Sequence, residues 1–292
     1  MNDFLTVGIP IWNDPKSIEK SIGAIIRSTA WINRGPSEKE LIVCVNGVES
    51  PNDVTLATVN RLSRSIPQLK VLSINARGQN FAINLIAKAA NPKSSSIFFC
   101  DSDVLVKRNT ISRVTAALKS RQGIKFAGAA AIPATVLIPK KYRSSFKAYL
   151  LKRHNERMAK GTDFISGAGW AVDKEFFLKN PLPETSKIAN DVFINATFKG
   201  KIALVRDAKL FYLLPSAKDR LFQKSRYLIQ EHSQGINQNK RISLLSKGYT
   251  LKERRGLLIS ITIDKLAKLM AKVNPKLDWR TLSSTKLKDR RK

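Results

Sequence analysis

Two acids separated by one serine, Asp101-Ser102-Asp103, follow directly on the apolar run Ile97-Phe98-Phe99-Cys100. Carboxylates this close repel each other in a dry setting unless a cation sits between or beside them. The run, preceded by Lys93-Ser94-Ser95-Ser96, reads as a strand buried on both faces. Open α/β sheets bind ligands at the carboxyl ends of their strands, so the acids stand where a metal-and-phosphate site would be built. The competing reading is a strand followed by a helix, with Asp103 as its cap. An isolated Asp-Ser-Asp favours the cap; the elements around it favour the site.

Those elements alternate. Residues 5–11 read as a first strand, ended by Trp12-Asn13-Asp14-Pro15, where Asn and Asp beside proline favour a turn. Ile18, Ile22, Ile25 and Ile26 form a helical stripe over 17–28. A second strand over 40–46 closes at Gly47; helical patterns follow over 54–62 and 80–90, with a third strand over 69–74 between them. This alternation predicts βαβ units and a parallel sheet. Further on come a helix over 110–120, alanine-rich extended segments over 124–138 and a basic helix with aromatics over 142–160. A glycine-framed turn, Gly167-Ala168-Gly169-Trp170, precedes a helix over 192–198, strands over 202–214 and a strongly basic helix over 218–234.

At 292 residues, with 43% hydrophobic and 8% aromatic side chains, the chain can bury a sizeable core. Its 52 basic and 22 acidic residues leave a formal charge of +30, which implies an anionic partner: nucleic acid, a phospholipid surface or phosphorylated substrates. Cys44 and Cys100 both lie in apolar runs and read as small buried hydrophobes of a reducing compartment. The N-terminal stretch lacks the basic and apolar regions of a signal peptide. No window approaches the ~18 consecutive apolar residues of a membrane span. The expected location is the cytoplasm, with peripheral attachment to the inner membrane face.

The pattern resembles a family 2 glycosyltransferase with a GT-A fold. Val7-Gly8-Ile9-Pro10-Ile11-Trp12-Asn13 stands where that family has its first strand and a Pro-x-x-Asn turn, and Val43-Cys44-Val45-Asn46-Gly47 with Asp53 resembles its second strand and acidic turn. Arg77-Gly78-Gln79-Asn80 with Asn84 resembles the Gly-Lys-x-x-Ala-x-Asn helix start, and Asp101-Ser102-Asp103 matches the Asp-x-Asp element. Asn190-Asp191 stands where the family carries Glu-Asp. Gln223-Lys224-Ser225-Arg226-Tyr227 resembles the Gln-x-x-Arg-Trp of processive polysaccharide synthases. Asn46, Asn190 and Tyr227 depart from the family's aspartate, glutamate and tryptophan. With the synthases' transmembrane helices also missing, the chain resembles an enzyme that adds one or a few sugars, or works with a separate membrane partner.

The resemblance implies an α/β fold: a Rossmann-like, mostly parallel central sheet flanked by helices, with a catalytic domain over 1–235 and a basic, partly amphipathic helical extension over 236–292. It implies a metal-dependent, inverting transfer of a sugar from a nucleoside-diphosphate donor, UDP-linked, to a saccharide, glycan or lipid-linked acceptor. Asp103, with Asp101, would hold Mg²⁺ or Mn²⁺ on the donor phosphates, Asp101 also reaching the ribose. Asp191 would be the general base that deprotonates the acceptor hydroxyl; its competing role is a cap on the helix it starts. Pro10, Asn13, Asn46, Arg77, Gln223, Arg226 and Tyr227 would line the donor site. Gln223, Arg226 and Tyr227 share one helix face by their i, i+3, i+4 spacing. Gly167, Ala168, Gly169 and Trp170 would meet the acceptor, the tryptophan stacking on a sugar ring. Each has an ordinary competing role: turn chemistry for Pro10 and Asn13, a half-buried tryptophan at a tight turn, a solvated charge for Arg77 and Arg226. A lone His232 reads as a surface residue.

Residues 256–272 separate lysines from aliphatic side chains at helical spacing. That segment reads either as an interfacial helix with Lys265, Lys268 and Lys272 towards anionic headgroups, or as a helix packed on the catalytic domain. The last seven residues, with Lys286, Lys288, Arg290, Arg291 and Lys292, are expected to be unstructured. Two other readings are a nucleic-acid-binding protein, which rests on charge alone, and a degenerate GT-A scaffold, which rests on Asn46 and Asn190. Nucleic acid is not the expected partner.

Overall fold

A computed structural model describes residues 4–50, 53–137, 144–159, 164–184, 189–233 and 250–273. In chain order the elements are β1 (Leu5–Ile11), α1 (Ile18–Ile26), α2 (Thr29–Ile32), β2 (Lys39–Asn46), α3 (Val54–Ser65), β3 (Leu69–Ile74) and α4 (Gln79–Ala89). There follow β4 (Ser96–Cys100), β5 (Leu105–Val106), α5 (Thr110–Ser120), β6 (Phe126–Pro133), α6 (Ser145–Ala159), β7 (Gly169–Asp173), α7 (Lys174–Lys179) and α8 (Asn190–Thr197). The chain then forms β8 (Ile202–Tyr212), α9 (Ala217–Ser233) and α10 (Leu251–Val273).

The strands form one sheet in the order β3-β2-β1-β4-β7-β6-β8-β5. β3, β2, β1 and β4 run parallel, as βαβ crossovers require. Beyond β4 the chain reverses: β7 pairs antiparallel with both β4 and β6, and β5 antiparallel with β8. The alternation of side chains along each strand divides the core into two layers. Val7, Ile9, Leu41, Val43, Phe98 and Cys100 face Ile18, Ile22, Ile25, Ile111 and Val114 of α1 and α5. On the other face, Ile42, Cys44, Ile97 and Phe99 pack against Ala82, Ile83 and Ile86 of α4, Phe177 of α7 and Ile194 of α8. Each such fully buried aliphatic or aromatic side chain contributes about 2 kcal/mol. β4 is buried along its whole length, as its unbroken apolar run predicts.

The described residues fall into two compact units. The first comprises residues up to 132 together with 164–212; the second comprises 133–159 and 213–273. Leu257 of α10 is buried with Tyr149 of α6, and α10 also packs against α9, so the extension recruits two helices from within the expected catalytic domain. Both cysteines are free and buried as expected; burial pushes the Cys44 thiol up to about 12 and the Cys100 thiol further still. The last seven residues lie outside the described ones.

Candidate active site

β4 ends at Cys100, and the chain turns at once through Asp101-Ser102-Asp103 to the short β5. Two polar residues of the first helical layer hold that turn. The Ser21 hydroxyl lies 2.8 Å from the Val104 carbonyl and 3.3 Å from that of Asp101, and Ser102 donates to the buried Asp14 carboxylate at 3.4 Å. Asp14 also accepts the Ser17 N–H at 3.3 Å, before the first turn of α1.

A second element reaches the turn from the opposite face. α4 begins at Gln79, after Gly78 with φ 138°, and no side chain caps it. Gln79 Nε2 donates instead to Asp101 Oδ1 at 2.6 Å. Asn46 sets the entry: its amide donates to the Ile11 carbonyl at 2.9 Å and accepts the Gly78 N–H at 3.3 Å. Farther along α4, Asn80 donates to the Pro183 carbonyl at 3.0 Å. Asn84 exchanges two bonds with the backbone of Leu182, at 2.8 and 3.1 Å. One helix therefore grips the first acid with its first residue and the segment leading towards α8 with its second and sixth.

The third element is the glycine-framed turn. The β4–β7 register pairs Cys100 with Gly169, which sets the turn alongside the acids. The Asp101 N–H donates to the Ala168 carbonyl at 3.1 Å. A Cβ on Gly167 would stand 2.7 Å from Asn190 Oδ1, so only glycine lets α8 approach this closely. Asn195 secures that approach by exchanging bonds with Ile165, donating at 2.8 Å and accepting at 3.1 Å.

Asp191 sits in the first turn of α8, where its carboxylate accepts the Val192 N–H at 2.9 Å and also the Gly167 N–H. Burial pushes its carboxyl above the ordinary range, against the pull of those two donors. The cap position of α8 is Ala189, so Asp191 satisfies a first-turn N–H without being the cap, and combines that with a raised basicity. Asp101 is pushed well above the ordinary range by burial first and by the Asp103 charge second. The Gln79 amide works against the rise and the Asp191 charge adds to it. Asp101, Asp103 and Asp191 therefore share one electrostatic neighbourhood.

The other expected site residues have surroundings of their own. Trp170 is 1% exposed, cross-strand from Phe99 with ring centroids 4.8 Å apart, so its ring belongs to the core and has no open face for a sugar. Arg77 is half-exposed, ion-paired with Glu49 and 6.0 Å from the Trp12 ring, the solvated alternative considered for it. Pro10 is buried in β1 opposite Cys44, beyond the last β1–β4 pair, where its missing N–H breaks no ladder bond on that side. Asn13 adopts φ 46° in the turn after β1, as turn chemistry predicts. Asp53 caps α3 by accepting the Leu56 N–H at 2.8 Å. Gln223 belongs to the second unit and accepts from Arg220 at 2.6 Å; the side chains of Arg226, Tyr227 and His232 lie outside what the structure describes.

Sequence reasoning missed Gln79, Ser21 and Asp14. The serine carried a signal, being a polar residue beside Ile22 in an otherwise apolar stripe. The glutamine carried a weaker one, as the first residue of a helix whose preceding glycine cannot cap it.

A half-parallel sheet with acids at the tip of a central strand, and helices on both faces, defines an α/β fold of the nucleotide-sugar transferase type. The chain belongs to the Glycosyl transferase family 2, whose sequence profile matches residues 6–179, and is therefore a glycosyltransferase. Its fold is similar to that of the mannosyltransferase PcManGT from Pyrobaculum calidifontis in complex with GDP-Man and Mn²⁺. That match has 16% identity and a TM-score of 0.59, covering 94% of this chain and 75% of that one. It is also similar to S. aureus TarS 1-349 in complex with UDP-GlcNAc, at 16% identity and TM-score 0.52, covering 93% of this chain and 74% of that one. Of the longer S. aureus TarS chain, 42% is covered. No curated protein sequence matches the chain.

Proposed function

We propose that the chain transfers a sugar, with inversion at the anomeric carbon, from a UDP-linked donor to a saccharide, glycan or lipid-linked acceptor at the cytoplasmic face of a membrane. The observation that carries this reading is the convergence of Asp101, Asp103 and Asp191 at the carboxyl end of β4, a geometry that supplies separate carboxylates for donor and acceptor.

The donor set fits a divalent cation. Asp101 and Asp103 offer hard oxygens, and Asp101's carboxyl is raised by burial first and by the like charge of Asp103 second, both of which a cation would offset. Among the described residues no cluster of three or more acidic, histidine or cysteine side chains exists to cage a metal. Mg²⁺ and Mn²⁺ are commonly held by one or two carboxylates with substrate phosphates completing the shell, so Asp103 and Asp101 suffice. Bound there, the ion would neutralise charge on the departing diphosphate.

The protein's own groups do the rest. Gln79 fixes the Asp101 carboxylate through one oxygen and leaves the other for the ligand. The N-terminus of α4, which no side chain caps, favours negative charge close by through the helix dipole. Asp191 takes the proton from the acceptor hydroxyl as that oxygen attacks the anomeric carbon from the face opposite the diphosphate, and burial makes it a stronger base than an exposed aspartate. The backbone of Gly167-Ala168-Gly169 forms the wall beside that acceptor.

The test is a screen of nucleotide sugars for turnover and thermal stabilisation with Mn²⁺ or Mg²⁺. Asp103→Ala is expected to abolish metal-dependent UDP binding. Asp191→Asn is expected to keep UDP binding and to lose transfer by roughly 10²–10⁴-fold, the usual contribution of a general base. Normal binding and transfer by both variants would refute the assignment.

A further inference from the structure

α10 has two unlike faces. Leu257, Ile263 and Ala267 are buried within the second unit, where the helix packs on α6 and α9. The outward face is the unusual one. Eleven of the described side chains of α10 are exposed: Leu251, Leu258, Ile259, Leu266 and Leu269, the basic Arg254, Arg255, Lys265, Lys268 and Lys272, and Thr262. Not one is acidic. The two acids of this helix are turned aside, Glu253 accepting from Thr250 at 2.8 Å and lying 3.6 Å from Lys152, and Asp264 lying 3.9 Å from Lys224.

Five of the nine large hydrophobic side chains exposed among the described residues lie on this one helix, with Leu251, Leu258 and Leu269 at 69%, 57% and 59% exposure. Leu251, Leu258, Thr262, Leu266 and Leu269 recur at helical spacing and make one stripe along the 23 residues. From Leu251 to Leu269 the stripe is about 27 Å long, at 1.5 Å per residue. Scattered exposed leucines need no explanation, but a continuous stripe flanked by cations does.

We infer that this face of α10 docks, lying flat, on an anionic phospholipid surface. The leucines sink to the level where headgroups meet acyl chains, while the arginines and lysines beside them meet lipid phosphates. No helix among the described residues is long and apolar enough to cross a membrane, so the helix lies in the surface and does not span. Charge argues against the other occupants. A second copy of the helix would bring five cations against five cations. A nucleic-acid backbone would satisfy the cations and leave the leucines in water. This inference stands apart from the donor chemistry and goes beyond it.

The experiment is flotation of the full chain with vesicles of phosphatidylcholine alone and with vesicles of phosphatidylcholine and phosphatidylglycerol in about equal parts. The chain is expected to float with the anionic vesicles, and less so as salt rises. Lys265→Gln/Lys268→Gln/Lys272→Gln removes three cations, each worth about fivefold near an anionic leaflet, so partitioning is expected to fall about a hundredfold. Leu258→Gln/Leu266→Gln/Leu269→Gln is expected to lower it at least tenfold. All six side chains are exposed, so both variants should keep the parent's circular dichroism and melting temperature, and in detergent solution the parent's rate of nucleotide-sugar turnover. Equal recovery of parent and variants, or equal recovery on both vesicle types, would overturn the inference. So would lipid-free self-association of the parent that the leucine variant abolishes, because the face would then belong to a second copy. Loss of turnover alone would bear on the catalytic reading and not on this one.

Discussion

The Asn46 amide donates to the Ile11 carbonyl and accepts the Gly78 N–H, two duties that a carboxylate at this position cannot share. An aspartate would set its oxygen against the Ile11 carbonyl in a site only 4% exposed. Asn46→Asp is therefore expected to lower stability by about 1–3 kcal/mol, the cost of an unsatisfied buried polar group, in urea titration at neutral pH. An unchanged midpoint would show that the turn relaxes to re-pair both groups. Trp170 poses the opposite case. Its indole Nε1 is buried without a partner among the described residues, and its ring fills the layer between Phe99, Phe126 and Phe177. Trp170→Phe removes the orphaned donor and leaves a small cavity in the core, which affects stability and not the acceptor, so the acceptor KM should not move; a large rise would return the ring to the acceptor site. Asp101 and Asp103 stood out as candidates because charge at the end of an apolar run is visible in one dimension, whereas Asp191 was suggested by the family resemblance alone. Trp170 was misread because its neighbour Phe99 is seventy-one positions away, joined by a strand pairing that no local pattern reveals. Gln79 escaped for the same reason: its partner Asp101 is local only in space.

Elements whose signal is periodicity were read correctly to within a few residues, β1 and β3 among them. What local pattern could not supply was reversal and recruitment. β7 runs antiparallel beside β4, and α6 and α9 join α10 in the second unit. Gly256 marks how tightly that unit is assembled. A Cβ there would lie 2.2 Å from the Ser145 carbonyl oxygen and 2.6 Å from Tyr149 Cβ, both on or beside the α6 backbone. Alanine gains about 1 kcal/mol of helix propensity over glycine, but overpacking against backbone costs about 1–3 kcal/mol, so Gly256→Ala is expected to melt at a lower temperature. A higher melting point would mean that α6 and α10 can part without loss. The junction of β7 and α7 supplies a pH test. Burial works against ionisation of Asp173, but Lys125 at 2.7 Å and the Phe176 N–H at 2.9 Å outweigh it and hold the carboxyl below its ordinary value. A group depressed on folding stabilises fully above its unfolded value, near 3.8, and loses that contribution as pH falls through the folded one. Asp173→Asn should thus be less stable than the parent at pH 7, and the gap should close as pH falls below 3.8 and through the depressed folded value. A gap that persists unchanged there would assign the loss to geometry, not charge.

At the scale of the whole molecule the surplus of 30 positive charges acts in two directions that salt separates. Cations packed on one chain repel one another and weaken the folded state, while the same field draws anionic surfaces and diphosphate donors towards it. The ion pairs among the described residues offset only part of this. Arg61 with Glu19, Arg113 with Asp207 and Lys179 with Glu175 are mostly exposed, and such pairs contribute about 0–1 kcal/mol each. Screening falls to a length of about 10 Å at 0.1 M salt, which weakens repulsion between separated surface cations more than it weakens close pairs. The melting temperature of the chain without lipid or nucleotide should therefore rise between low and physiological salt. Over the same interval, recovery on anionic vesicles should fall. Opposite slopes are the signature of one charge surplus felt from inside and from outside. A melting temperature that falls with salt would mean that the close pairs, and not the surplus, dominate the fold's electrostatics. The attraction to anionic surfaces would then have to come from the exposed face of α10 alone.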